Sequence, residues 1–332
     1  MGLLAGRHHW SRAAASGLAA LALCTSAGSA GAASDWPDRP VRMIVPFAAG
    51  GATDVIARAL GQRLGTLWKQ PVVVENRPGA GGMVGAEVVA KSAADGYTLL
   101  IASGSMFTVN PHIYSKLSYG AKDFSMITKV ATGPMVVVVN PSVPAKNMAE
   151  LIAYAKTRPK QLNFGSAGIG SQVHMAGEAL ADKAGIELVH VPYKGESLAY
   201  ADLMAGHVQL VVGNIAGVTP LVASGKVRAL AVTSEQRSPM LPDVPTSGES
   251  GMPGFEMVGW FALMAPAGVP PKLIGKMHSD IAQALADENT KAVLRAQGMN
   301  ASVTTSAQLT EAISAESETW SKVVARRHLK AD

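Results

Sequence analysis

The sequence predicts an α/β protein built from two units, each a parallel sheet covered by helices. Short β-branched runs alternate along the chain with segments whose apolar residues recur at helical spacing. The 34 glycines and 19 prolines follow no collagen-like or low-complexity period, so they mark turns between many short elements. A chain of 332 residues that is 48% hydrophobic and 16% charged is too apolar for disorder and longer than one core organises.

Val41 to Val45 reads as a strand, and Ile56, Leu60, Leu64 and Leu67 form the apolar face of a helix behind Thr53, the expected N-cap. Val72 to Val74 is the next strand, Met83 to Ala90 the next helix and Thr98 to Ala102 the third strand. This βαβαβ order makes a parallel sheet. The pattern restarts after Asn140-Pro141. Met148 to Ala155, Ser171 to Asp182 and Leu198 to Ala205 read as helices, interleaved with strands at Leu162 to Phe164, Leu188 to Val191, Val208 to Val212 and Val227 to Val232. That is a second parallel unit, in which Met135 to Val139 is a buried strand by its length. Beyond the Pro-rich stretch Pro239 to Pro253 come a strand, Met257 to Met264, and three helical segments. Ile274, Met277, Ile281 and Leu285 mark one of these behind Pro270-Pro271, and Leu309, Ile313, Trp320 and Val324 mark the last.

A helix-rich tail is expected to return and complete the first unit. Domain 1 then comprises residues 34–134 and 236–332 and domain 2 residues 135–235, with crossings near Ala131 to Val136 and Ser234 to Gln236. A cleft between such units is a natural ligand site, and paired crossings allow a hinge.

Residues 1–33 read as a secretory leader. Arg7 and Arg12 precede the apolar stretch Ala13 to Leu23, and the small-residue run Thr25 to Ala33 follows. The apolar stretch is about half the ~20 residues a spanning helix needs, so it reads as a removable signal that places the mature chain in the periplasm. Cleavage is expected after Ala32 or Ala33. A lipid anchor on Cys24 is disfavoured, because Leu23 stands where such signals carry a small residue. Removal of the leader leaves 27 basic and 24 acidic residues and no cysteine, which excludes disulfides and Cys-based zinc sites. The charges are scattered, so nucleic acid is not an expected partner.

Two turns are candidate anion sites. Pro46 to Asp54 sets Gly50-Gly51 between a strand and a helix, where the free N–H groups of a first helical turn carry partial positive charge. A plain turn capped by Thr53 reads equally well. Asp54 argues against phosphate, since its charge would repel a multiply charged ligand. The stretch Phe164 to His174 repeats the arrangement in the other unit, with Gly165, Gly168 and Gly170, the hydroxyls of Ser166 and Ser171, and His174 in the first helical turn. Ser171 is also a plausible N-cap, and a lone histidine is more often structural than functional. Ser103-Gly104-Ser105, Tyr193-Lys194-Gly195 and Asn214 are further candidates, because ligands in open α/β sheets bind beyond the carboxyl ends of strands. Arg326 to Lys330 reads as cations completing the last helix.

Enzyme signatures are missing from the motifs considered. Asn76 to Gly85 is glycine-rich, but Val84 occupies the sixth place of the G-x-G-x-x-G register. Neither a phosphate-cradling loop nor H-E-x-x-H occurs, and Gly165-Ser166-Ala167-Gly168 is not a G-x-S-x-G elbow. The expectation is a non-enzyme without cofactor or metal. A secreted hydrolase would have to use Ser166 with His174, the one neighbouring nucleophile and base that can be nominated.

The chain resembles the substrate-binding proteins of tripartite tricarboxylate transporters, the Bug family of bacterial periplasmic receptors. The resemblance rests on Trp36-Pro37-Asp38-Arg39-Pro40, Pro46 to Gly51 with Asp54, Asn76 to Gly82, Asp95-Gly96-Tyr97-Thr98, Asn110-Pro111 with Tyr114, Val191 to Gly195, Leu241 to Thr246 and Ala265 to Gly268, in that order. It implies a periplasmic-binding-protein-like fold of type II, two α/β lobes with a hinge, binding a small carboxylate in the interlobe cleft. The implied ligand-binding residues are Phe47, Ala49, Gly50, Gly51, Thr53, Asp54, Ser103, Ser105, Ser166, Ala167, Gly168, Ser171, Gln172, His174, Tyr193, Lys194, Gly195 and Asn214, with Phe47, Tyr193 and Trp260 walling the apolar part of the ligand. Implied partners are a large and a small integral membrane subunit, with the receptor itself a monomer. Some members serve instead as sensors for signalling systems. Where many relatives carry Phe-Asp-Asn this chain has Val212-Gly213-Asn214, which removes a partner for a ligand ammonium and leaves a plain carboxylate favoured. The effector domains of LysR-type regulators have a related shape, but a leader stands here and there is no room for a helix-turn-helix before Val41.

Overall fold

The computed structural model of the chain describes residues 36–331; the leader expected at residues 1–33 lies outside them. The first stretch runs β1 (Val41–Val45), α1 (Ala52–Trp68), β2 (Val72–Asn76), α2 (Met83–Ala90), β3 (Thr98–Ser103), α3 (Ser105–Thr108) and α4 (Asn110–Ile113). Next comes β4 (Phe124–Val139), then α5 (Met148–Lys156), β5 (Asn163–Ser166), α6 (Gln172–Ala184), β6 (Val189–Pro192), α7 (Glu196–Ala205), β7 (Leu210–Asn214), α8 (Ile215–Ala223) and β8 (Arg228–Val232). The tail supplies β9 (Val258–Pro266), α9 (Pro271–Ala286), α10 (Glu288–Ala296), β10 (Asn300–Ala301) and α11 (Ser306–Arg327).

The strands form one path in the order β2-β1-β3-β9-β4-β7-β5-β6, with β8 and β10 also paired to β4. β1 runs parallel to β2 and β3, and β5 parallel to β6 and β7. Between these parallel groups sits β4, a single strand of 16 residues. Its first part, Phe124 to Pro134, pairs antiparallel with β9. From Met135 to Val139 it pairs antiparallel with β7 and β8. Two sequence expectations are corrected here. Met135–Val139 is the end of a longer strand, and β8 runs antiparallel beside β4 instead of extending a parallel group. β9 from the tail inserts between β3 and β4.

The core follows the apolar patterning. Met43, Ile44 and Val45 of β1, Leu99 to Ala102 of β3 and Val136 to Val139 of β4 have no solvent exposure, as expected of strands covered on both faces. Ile56, Leu60 and Leu64 seat α1 on the sheet. Arg326 and Arg327, at the end of α11, pair with Asp182 and Glu178 of α6, so these cations tie two helices together instead of only complementing a helix end. Among the described residues no helix is long and apolar enough to cross a membrane.

Candidate functional site

The turn between β1 and α1 is shaped by Asp54. Gly51, with no side chain to contribute, is the N-cap, so the expected cap at Thr53 is displaced by two residues. The Asp54 carboxylate instead reaches back, accepting the N–H of Gly50 at 3.0 Å. Gly50 has φ of 82°, a left-handed conformation that suits glycine. Arg58 and Asn76 also donate to Asp54. Burial pushes the Asp54 carboxyl up, but these hydrogen bonds prevail and hold it below its ordinary value.

The turn between β5 and α6 forms as the sequence suggests, with Ser171 Oγ accepting the N–H of His174 at 3.2 Å as N-cap. Ser166 and His174 do not form a pair. Ser166 Oγ lies 2.6 Å from Nε2 of His190, which strand pairing sets opposite Phe164, and His174 Nδ1 accepts the N–H of Gly170 at 3.1 Å. The two imidazoles stack with centroids 3.9 Å apart. Burial, with the neighbouring His190, lowers His174 to about 3, and burial lowers His190 to about 4. Ser166 has no solvent exposure.

The two turns meet. Phe47, Gly51, Ala52, Thr53 and Ser103 from one side face Ala167, Ser171, Gln172, Val173, Glu196 and Asn214 from the other, with Phe261 completing the wall. The space between them is about 20 Å³, on the scale of a single water. Four helices begin here: α1 at its cap Gly51, α6 at its cap Ser171, α7 at its first residue Glu196 and α8 at its cap Asn214. Each N-terminus presents free N–H groups equivalent to roughly half a positive charge.

Glu196 is the acid of the site. Tyr200 Oη donates to its Oε2 at 2.8 Å, and Asn214 Nδ2 donates to its Oε1. Burial pushes its carboxyl up to about 7, against the lowering pull of those two donors. Tyr200 reaches the acid because Gly213 lacks a side chain: a Cβ there would lie 2.2 Å from the phenol oxygen. Gly213 stands where the resemblance expects an aspartate, and the acid that lines the cavity is Glu196, from α7.

Other expected residues lie around the cavity without lining it. Ala48 N–H donates to the Lys194 carbonyl at 3.0 Å, and Ser197 Oγ to the Ala49 carbonyl at 2.8 Å, so Ala49, Lys194 and Gly195 belong to a contact between the β1–α1 turn and the start of α7. Gly168 N–H donates to Ser166 Oγ. Tyr193 Oη donates to Asp202 at 2.6 Å, and Trp260 Nε1 to Glu316, so Phe47 and Phe261 are the aromatic walls instead of Tyr193 and Trp260. Ser105 borders a wider groove with Met135, Phe255 and Trp320, which shares Gln172 with the cavity. The smaller cavity is the better site because the helix starts converge there. Sequence reasoning missed Ala52, Val173, Glu196 and Phe261; each adjoins a residue it did single out, and Glu196 lies ahead of the helix predicted from Leu198.

Residues 56–329 match the model of the tripartite tricarboxylate transporter family receptor. BugT of Bordetella pertussis is 40% identical over 294 residues, covering 88% of this chain and 90% of that protein. An R. palustris protein solved with adipate superposes with a TM-score of 0.85 at 35% identity, covering 89% of this chain and 99% of that one. MatC from Rhodopseudomonas palustris with bound malate gives 0.83 at 30%, covering 87% and 100%. Chains of this fold include solved periplasmic binding proteins. With its fold and most of its length in agreement, this chain belongs to the tripartite tricarboxylate transporter receptor family, a family of periplasmic solute-binding proteins.

Proposed function

We propose that the chain is an exported receptor that binds a small carboxylate in the cavity between the two turns, closes around it and delivers it to the membrane subunits of a tripartite tricarboxylate-type transporter. The observation that carries this reading is the convergence of four helix N-termini on one small cavity. Backbone N–H groups and the hydroxyls of Thr53, Ser103 and Ser171 supply donors, and no arginine lines the cavity among the described residues. A micromolar affinity corresponds to about 8 kcal/mol, and charge-assisted hydrogen bonds contribute ~1.5–3 kcal/mol each, so four or five such donors suffice. The adipate and malate held by two related structures support this ligand class.

Closure is read as motion of domain 2 (residues 135–235) against domain 1 (34–134 and 236–332). The change of partners along β4 at Pro134–Met135 supports a hinge there. The ligand-binding set is the cavity lining together with the contact between the β1–α1 turn and the start of α7. The protein acts as a monomer, without turnover and without a cofactor.

Native mass spectrometry of protein purified without refolding, followed by a thermal-shift screen with acetate, benzoate, succinate, malate, adipate and citrate, tests the reading. A carried-over acid, or stabilisation by one acid class, is expected. Release of a chemically altered product on incubation would point to an enzyme instead.

A further inference from the structure

Glu196 is the one ionisable side chain among the described residues that line the cavity. It is 7% exposed, and both its carboxylate oxygens are engaged by Tyr200 and Asn214. A resident acid therefore shares the cavity that four helix starts prepare for an incoming anion. Two carboxylates confined together cannot both stay ionised, because their repulsion in a low-dielectric space drives one of them to hold a proton.

The surrounding groups leave Glu196 to take it. On its own helix, Tyr200 stays protonated, its phenol raised by burial and by Glu196 itself. From α1, Asp54 is committed to Arg58, Asn76 and the Gly50 amide. From α6 come neutral Gln172 and His174, the latter stripped of its proton by burial. Asn214 from β7, Ser103 from β3 and Phe261 from β9 carry no charge. Burial, against the lowering pull of Tyr200 and Asn214, already pushes the Glu196 carboxyl up to about 7.

We propose that Glu196 makes ligand binding proton-coupled: the site takes a carboxylate together with one proton from solvent, carried on Glu196, whose O–H donates to a ligand oxygen. The glutamate carboxylate and the solvent proton give the neutral acid, and no covalent bond to the ligand forms. This rests on the carboxylate reading above.

Isothermal titration of the same acids, from about pH 6 to about pH 8.5 in buffers of different ionisation enthalpy, reads the coupling. Proton uptake is expected to rise towards one per ligand at the upper end, with affinity falling about tenfold per pH unit there. E196Q should show no proton uptake and an affinity independent of pH, whatever its absolute value; a melting scan checks that it folds. Y200F removes a hydrogen bond that favours ionised Glu196, so its affinity should begin to fall at a higher pH than in the wild type. An acid that binds the wild type with no proton uptake at any pH overturns the coupling and leaves the receptor reading intact. Failure of every acid to bind overturns both.

Discussion

The hydroxyl of Ser197 donates to the carbonyl oxygen of Ala49 across 2.8 Å, joining the first turn of α7 to the glycine turn before α1. With the Ala48–Lys194 backbone bond at 3.0 Å, it ties the β1–α1 turn to the start of α7, whose Glu196 lines the cavity; under the proposed closure these bonds break as the site opens. Ser197→Ala is expected to speed ligand release by roughly two- to tenfold, the equivalent of the ~0.5–1.5 kcal/mol that a neutral hydrogen bond contributes. Stopped-flow dissociation measures this, and an unchanged rate would remove the bond from the opening step.

Gly51 has room for a methyl group, because a Cβ there would meet only the Ala48 carbonyl oxygen and the Glu196 Cβ, both at 3.8 Å. Anything larger enters a space of about 20 Å³. Gly51→Ala should keep the ligand-induced rise in melting temperature, and Gly51→Leu should abolish it while leaving the apo protein cooperatively folded. A Leu variant that still responds to ligand would take this turn out of the site.

The stacked pair His174 and His190 predicts sensitivity to acid. Both are lowered from 6.5, to about 3 and about 4, so the unfolded chain binds these protons first. Their stabilising contribution is complete above pH 6.5 and is lost as the pH falls towards the folded values, at about 1.4 kcal/mol per pH unit for each histidine. Urea melts across this range should show a shallower acid limb for His190→Gln than for the wild type. Parallel limbs would contradict the assignment.

Glu196 gives the opposite sign. Its folded value is raised from 4.5 to about 7, so its contribution is fully favourable below 4.5 and declines as the pH rises through 7. Glu196→Gln should therefore gain on the wild type by up to about 3 kcal/mol above neutrality, with the difference closing towards pH 4.5. Chemical denaturation at the two extremes provides the comparison. A pH-independent difference would show that Glu196 ionises as it does in the unfolded chain.

Much of this was legible in the sequence. The strands at Val41 and Thr98 and the helices at Met83 and Ser171 follow from β-branched runs and helical spacing, and the two glycine turns do meet. The long strand β4 was hidden because Thr132-Gly133-Pro134 reads as a break, whereas Pro134 is carried where the strand exchanges partners. The direction of β8 is set by tertiary pairing that a local run of apolar residues cannot encode. Helix α8 contains Pro220 and carries no start signal beyond Asn214. Glu196 escaped because the helix was read from Leu198, two residues late, which left the acid ahead of it. His190 is brought to Ser166 only by the alignment of β5 and β6, a relation between segments 24 residues apart.

The helix starts around the cavity have an evolutionary consequence. Main-chain amides are present whatever residue a codon specifies, so the positive potential of the four helix starts is inherited with the topology instead of with particular side chains. The wall side chains, Phe47, Phe261 and Glu196 among them, can then change the shape and polarity of the cavity without removing that potential.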